Sequence, residues 1–174
     1  MNIILLVVYI VVGYKYGKWT NFHQYYPTLL FFVSVDLLSQ FLLFDFTLWG
    51  FSPLGKMDEW FHLNHTLIAL SKMAIQYPVT IALFLGHVTQ KLKNQFLLIV
   101  LWSGIYAANE WIAQYFGVLT YHHGWHFGWD IAFNFLMFFM LLLHYQKPLV
   151  AWILCIPIIL GIWEIFNIPF SVLK

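Results

Sequence analysis

From residue 28 to residue 168 the chain is a succession of apolar runs joined by short polar connections. A helix needs about 20 mostly apolar residues to cross roughly 30 Å of hydrocarbon, and it alone satisfies its backbone there without water. Six stretches fit that requirement or come close: 2 to about 16, 28 to about 49, 64–86, 96 to about 118, 129 to about 145, and 149 to about 168. The expected fold is therefore all-α, a polytopic transmembrane helix bundle in a single domain spanning 1–174. It has six spans, or five if the first run does not cross. That first run is short for a span, and a signal peptide is its alternative reading. It lacks a basic leading segment, and Tyr14, Lys15 and Tyr16 follow it where small residues would mark a cleavage site, so a retained span is expected.

Composition agrees with the runs. Only 9% of the 174 residues are charged and 62% are hydrophobic, whereas about a quarter of an ordinary soluble domain is charged. Eight Lys, no Arg and seven acidic residues leave a net charge of +1, which offers no basic field to nucleic acid. A single cysteine, Cys155, excludes a disulfide framework or thiolate cluster within one chain.

The lysines orient the bundle, because cytoplasmic loops retain them. Lys15, Lys18, Lys91, Lys93 and Lys147 fall on one side of a six-span map, and Lys56 and Lys174 fall on the other. Both termini are thus expected outside, in a cell membrane. Trp19, Trp49, Trp60, Trp111, Trp125 and Trp129 lie near expected helix ends, where an amphipathic ring suits the headgroup level.

An ionised side chain at the bilayer centre costs roughly 2.5–3.5 kcal/mol even on insertion scales, so the intramembrane polar residues must face inward. They fall in stripes. His65, Lys72 and Gln76 lie within about 20° of a common face at helical spacing. Ser103, Tyr106, Glu110 and Gln114 share another, as do Asp36, Gln40 and Thr47, Asp130 with Asn134, and Glu164 with Asn167. Asp45, His65, Glu110, Asp130 and Glu164 occupy the outer halves of their helices, and the outer loops add Asp58, Glu59, His62, His122, His123 and His126. The expected site is an outward-facing pocket built on His65, Glu110, Asp130, Asn134 and Glu164. Asp36 and Lys72 lie near mid-membrane on neighbouring spans, and an intramembrane ion pair between them is expected, either structural or part of a proton or ion relay.

The segment 120–130 is unusually rich in histidine. His123, His126 and Asp130 have spacings that aim ligands at one ion if the segment is helical, and His62 and His65 would supply a second arm. No metalloenzyme signature is present, and Gly124 and Gly128 favour a turn, so histidines hydrogen-bonded at the interface are the competing reading. No cofactor is expected; a transition metal on these five residues is the weaker alternative. Ser39, Ser71 and Ser103 lack a nucleophile-elbow context for a serine hydrolase. Pro78 and Pro157 interrupt their spans and should kink them.

His65-Thr66-Leu67-Ile68, Glu110, Tyr121 with Gly124-Trp125, Phe133-Asn134, Met137-Phe138, Leu143-His144 and Pro148 together resemble a family of small multi-pass membrane proteins of spore-forming Gram-positive bacteria that has no assigned activity. The likeness covers about residues 60 to 150. It implies the helical fold and a bacterial cell membrane, supplies no reaction, and matches His65, Glu110, Tyr121, Trp125, Asn134 and His144 but not His122, His123 or His126. Where the family pattern has Ser near position 130, this chain has Asp130.

The function these features imply is binding of a small polar ligand, ion or lipid headgroup, with no catalysis assigned. A metal-dependent enzyme acting on outer-leaflet lipids is one alternative. The other is a structural subunit whose stripes glue it to a membrane partner or to a second copy of itself.

Overall fold

The computed structural model of the chain describes residues 2–172; Lys174, counted above for orientation, lies outside the described residues. Helix α1 spans Asn2–Tyr16 and α2 spans Phe22–Leu42. A short strand β1, Trp49–Phe51, and a single helical turn α3, Lys56–Trp60, lead into the third span. That span, His65–His87, consists of α4 (His65–Ser71), a π-helical turn (Lys72–Gln76), α5 (Tyr77–Phe84) and a closing 3₁₀ turn. Next come α6 (Leu92–Tyr115), strand β2 (Leu119–Tyr121), α7 (Phe127–Gln146) and α8 (Pro148–Ile165). Five of these segments are long and apolar enough to cross a membrane, as a multi-pass helical bundle requires. Helix α1, with 15 residues, rises only about 22 Å and is a short apolar helix packed against the third span.

The helix ends differ from the sequence expectation. Helices α2 and α6 stop at Leu42 and Tyr115, not near 49 and 118, and the residues beyond them pair as an antiparallel ladder with Trp49 opposite Tyr121 and Phe51 opposite Leu119. Gly117 ends α6: it takes φ +73°, its N–H donates to Gln114 at 2.9 Å, and the Val118 N–H donates to Ala113 at 2.8 Å. This is a Schellman closure, which needs the left-handed conformation that glycine adopts without strain. Asn167 closes α8 in the same way, with φ +48° and the Ile168 N–H on the Trp163 carbonyl at 3.0 Å.

Pro78 produces a widened turn. Proline has no N–H to give the preceding turn, and its ring crowds the carbonyl four residues back. The backbone relaxes to i→i−5 bonding, with the Tyr77 N–H on the Lys72 carbonyl. Pro157, by contrast, sits inside a helix assigned continuously over Pro148–Ile165.

Two large apolar clusters hold the bundle, and a small third one, Tyr9 with Val79 and Leu83, seats α1. One of the two contains Phe32, Phe84, Tyr106, Phe138 and Leu141, and joins α2, α5, α6 and α7. The other lies at the end of the bundle where α1 begins and contains Leu48, Trp125, Trp163 and Ile168. Of the tryptophans expected to anchor at the interface, Trp125 is therefore a buried packing residue, whereas Trp19, Trp60 and Trp111 are exposed. The lysine-bearing ends of the spans come together at the opposite end: the Lys18 N–H donates to the Ala82 carbonyl at 3.3 Å, and Gln146 reaches Gln95 at 3.4 Å.

Helix α1 is fixed at both ends. Its first turn is capped from outside by Asp58, fully buried, whose carboxylate accepts the Asn2 N–H (3.1 Å), the Asn2 amide (2.9 Å), the Ile3 N–H (3.4 Å) and the Leu54 N–H (3.0 Å). Near its other end Gly13 faces Val79, where a Cβ would lie 2.7 Å from a Val79 methyl. A stiff β-branched neighbour cannot yield that space. Gly13→Leu is expected to destabilise the protein by about 1–3 kcal/mol through overpacking, and Val79→Ala should restore part of the loss. Thermal unfolding of the detergent-purified single and double variants checks this; an unchanged midpoint in Gly13→Leu would show that α1 is not seated there.

Candidate functional site

Four of the five polar stripes contribute to one cavity. Its volume is about 720 Å³, and it lies between the two large apolar clusters, lined by Phe32 and Leu141 of one and by Leu48 and Trp125 of the other. Helix α2 contributes Asp36, Ser39 and Gln40, and the third span contributes His65, Lys72, Gln76 and Tyr77. Helix α6 supplies Tyr106, Asn109 and Glu110, and α7 supplies Asp130 and Asn134. The widened turn has a direct effect here, since it lets Lys72, Gln76 and the adjacent Tyr77 all line the cavity. Such π-turns recur at functional sites.

Each carboxylate has neutral donors. Asn134 donates its amide to Glu110 across the α6–α7 interface. Asp130, in the first turn of α7, accepts from the Tyr121 hydroxyl and from the Trp125 indole N–H at 2.6 Å. Burial and the bond to Asp130 both raise the Tyr121 phenol above its ordinary range, so it remains a donor at neutral pH. Asp36 accepts from the Tyr77 hydroxyl at 2.7 Å. The one ammonium among the described cavity residues is that of Lys72, 3.3 Å from the centre of the Phe51 ring, which stabilises it by a cation–π contact. Lys72 is within electrostatic reach of Glu110, Asp36 and Asp130 together. Phe51 also donates its N–H to His65 Nδ1 at 3.0 Å, and its ring stacks on the imidazole. Nδ1 is thus the acceptor, which leaves the imidazole proton on Nε2.

Of the residues expected to form the pocket, His65, Glu110, Asp130 and Asn134 come together here. Glu164 does not. It is exposed in the last turn of α8, and its apparent partner Asn167 serves as the left-handed residue that ends that helix. The Asp36–Lys72 pair is also arranged differently: both line the cavity, but Tyr77 is the direct partner of Asp36 and Phe51 that of Lys72. The five residues weighed as metal ligands are dispersed, and no group of three or more His, Cys, Asp or Glu among the described residues is placed to hold a metal ion. His126 caps α7 by accepting the Gly128 N–H at 3.1 Å, and His123 takes φ +54° and stacks on Phe46. His62 is exposed at φ +50°. Gly124, at φ +84°, confirms a turn through this segment.

A second network was not foreseen. The Tyr9 hydroxyl, on the short first helix, accepts from Gln76 at 3.3 Å and from Asn109 at 3.1 Å, and Thr80 bonds Tyr106 at 2.8 Å behind it. The Gln76 stripe could have pointed to it, but nothing in the apolar run around Tyr9 names the partner. His144 lies apart from the cavity toward the lysine-rich end, bonded to Thr28 at 3.0 Å and stacked on Phe31. Of the three serines, Ser71 bonds the Ile68 carbonyl at 2.7 Å, Ser103 is buried without a partner, and Ser39 lines the cavity with no histidine hydrogen-bonded to it among the described residues. Compared with known protein families, curated proteins and solved structures, the chain matches none.

Proposed function

We propose that this chain is a multi-pass protein of a bacterial cell membrane, both termini outside, whose outward-lying cavity binds a small polar ligand, ion or lipid headgroup. The orientation rests on the five lysines of the opposite connections. The observation that carries the binding reading is the convergence of Glu110, Asp130, Asn134, His65, Asp36 and Lys72 on one cavity. Its volume of about 720 Å³ falls within the roughly 300–1,000 Å³ usual for ligand sites. A network serving only to join helices would fill this space with side chains, as helix interfaces in membranes do.

The test is ligand-dependent stabilisation. Detergent-purified protein, titrated with polar lipid extract and separately with inorganic cations, should unfold at a higher temperature in one of the two series, because a ligand that binds only the folded state stabilises it by mass action. Glu110→Gln should weaken that response about 10- to 100-fold in apparent affinity, the usual effect of removing a charged hydrogen-bonding partner. If neither series moves the midpoint, or if the variant responds like the wild type, the reading fails.

A further inference from the structure

We infer that the occupant of the cavity is a bilayer amphiphile with a primary-ammonium headgroup, the ammonium seated among Asp36, Glu110 and Asp130 and the tail leaving between α1 and α2. This rests on the binding role proposed above and specifies the ligand class.

The route follows from the packing. Helices α1 and α2 each pack on the third span and make at most marginal contact with each other. Exposed apolar residues line the cavity along that gap: Ile4 and Val8 from α1, Leu37 and Phe41 from α2, and Phe44 just beyond the end of α2. In a membrane these residues face acyl chains, so the opening leads sideways into the bilayer. At the end of the bundle where α1 begins, Trp49, Phe51 and Leu119 from the β1–β2 ladder line the same space. A hydrated ion would meet apolar side chains on either approach, whereas a lipid tail is suited to the gap.

The headgroup follows from charge and hydrogen bonding. Three carboxyl groups line the cavity with one lysine ammonium, so their oxygens offer an added cation more acceptors than an anion would find donors. The donors already present are neutral side chains. An acceptor is left over as well: Gln76 lines the cavity, is 5% exposed, and its Oε1 has no hydrogen-bond partner among the described residues. A primary ammonium brings three N–H donors to such a surplus of acceptors; a trimethylammonium brings none. In a phospholipid the adjoining phosphate would meet the Lys72 ammonium, completing the match.

The experiment is native mass spectrometry of the full chain released from mixed micelles holding equal amounts of phosphatidylethanolamine, phosphatidylcholine and phosphatidylglycerol with identical acyl chains. Phosphatidylethanolamine adducts should exceed the other two by about tenfold, as one charge-assisted contact predicts. Asp36→Asn should bring the three toward parity. Leu37→Trp, at an exposed position on the gap, should lower retention of all three without changing their order. Equal retention of the three headgroups by the wild type, or preference for phosphatidylglycerol, overturns the ammonium assignment and leaves the binding role standing. Retention unchanged by Leu37→Trp overturns the lateral route. If no lipid of any class is retained, the inference is overturned; the binding role falls with it only when the cation titration also leaves the unfolding midpoint unmoved.

Discussion

Replacing Lys72 with Met is expected to cost about 1–3 kcal/mol, because it removes the cation–π contact with Phe51 and the one ammonium near three cavity carboxyl groups. Methionine preserves most of the stem's volume, so the loss reports on charge and not on packing. The three carboxylates that lose their shared cation are Glu110, Asp36 and Asp130. The partner residues predict the shape of the rescue. Adding Asp36→Asn to Lys72→Met removes one stranded charge while an amide oxygen can still accept from Tyr77, so the double variant should recover part of the loss, with a coupling of about 0.5–3 kcal/mol. Lys72→Arg should be tolerated better, because a guanidinium retains the charge and stacks on Phe51. Thermal or denaturant unfolding in detergent measures all three. A Lys72→Met protein as stable as the wild type would mean that the carboxylates do not depend on the lysine.

The second large effect belongs to Asp58. Burial alone would raise its pKa, but donors led by the Leu54 N–H, the backbone and side chain of Asn2 among them, outweigh it and hold the carboxyl at about 2. A depressed folded-state pKa stabilises the protein above the unfolded value near 3.9 and ceases to do so as pH falls through the folded one. Between about pH 4 and pH 2 the protein should therefore lose about 2 kcal/mol from this residue alone. Asp58→Ala should impose a loss of about 1–3 kcal/mol already at neutral pH by leaving buried N–H groups of α1 unpaired. A midpoint that falls equally steeply between pH 4 and pH 2 in wild type and in Asp58→Asn would show that Asp58 is not responsible for the acid sensitivity.

The helices were legible because the apolar runs are long and the bilayer admits few alternatives. The stripes were legible for the same reason: every stripe residue marked on the second, third and fifth runs lines the cavity, from Asp36, Gln40 and Thr47 to His65, Lys72 and Gln76, and to Asp130 and Asn134, whereas Asp45 and Ser71, marked outside the stripes, are not part of its lining. The failures lie at helix ends. Gln114 and Glu164 share faces with polar neighbours in sequence, but each belongs to a terminal turn closed by Gly117 or Asn167, where a polar side chain is exposed and needs no partner. Gly117 and the Asn167-Ile168-Pro169 segment carry ordinary stop signals, and weighing them ahead of the stripe would have excluded both residues. The β1–β2 ladder joins segments about 70 residues apart, and its three-residue strands are too short for an alternating pattern to register. The histidine-rich segment misled for a related reason. Imidazole is both a good metal ligand and a good capping and stacking group, and residue spacing cannot choose between these uses until the backbone is known.

The π-turn at Lys72–Gln76 accommodates one residue more than an α-helix would over the same rise. In effect the third span carries an insertion that shifts the phase of its two halves. Val79, Ile81 and Phe84 can keep their grip on α1, α2 and α7 while His65 and Lys72 are aimed independently. Lengthening or shortening this span by a single residue at the turn would re-aim the cavity residues of its first half without redesigning the bundle.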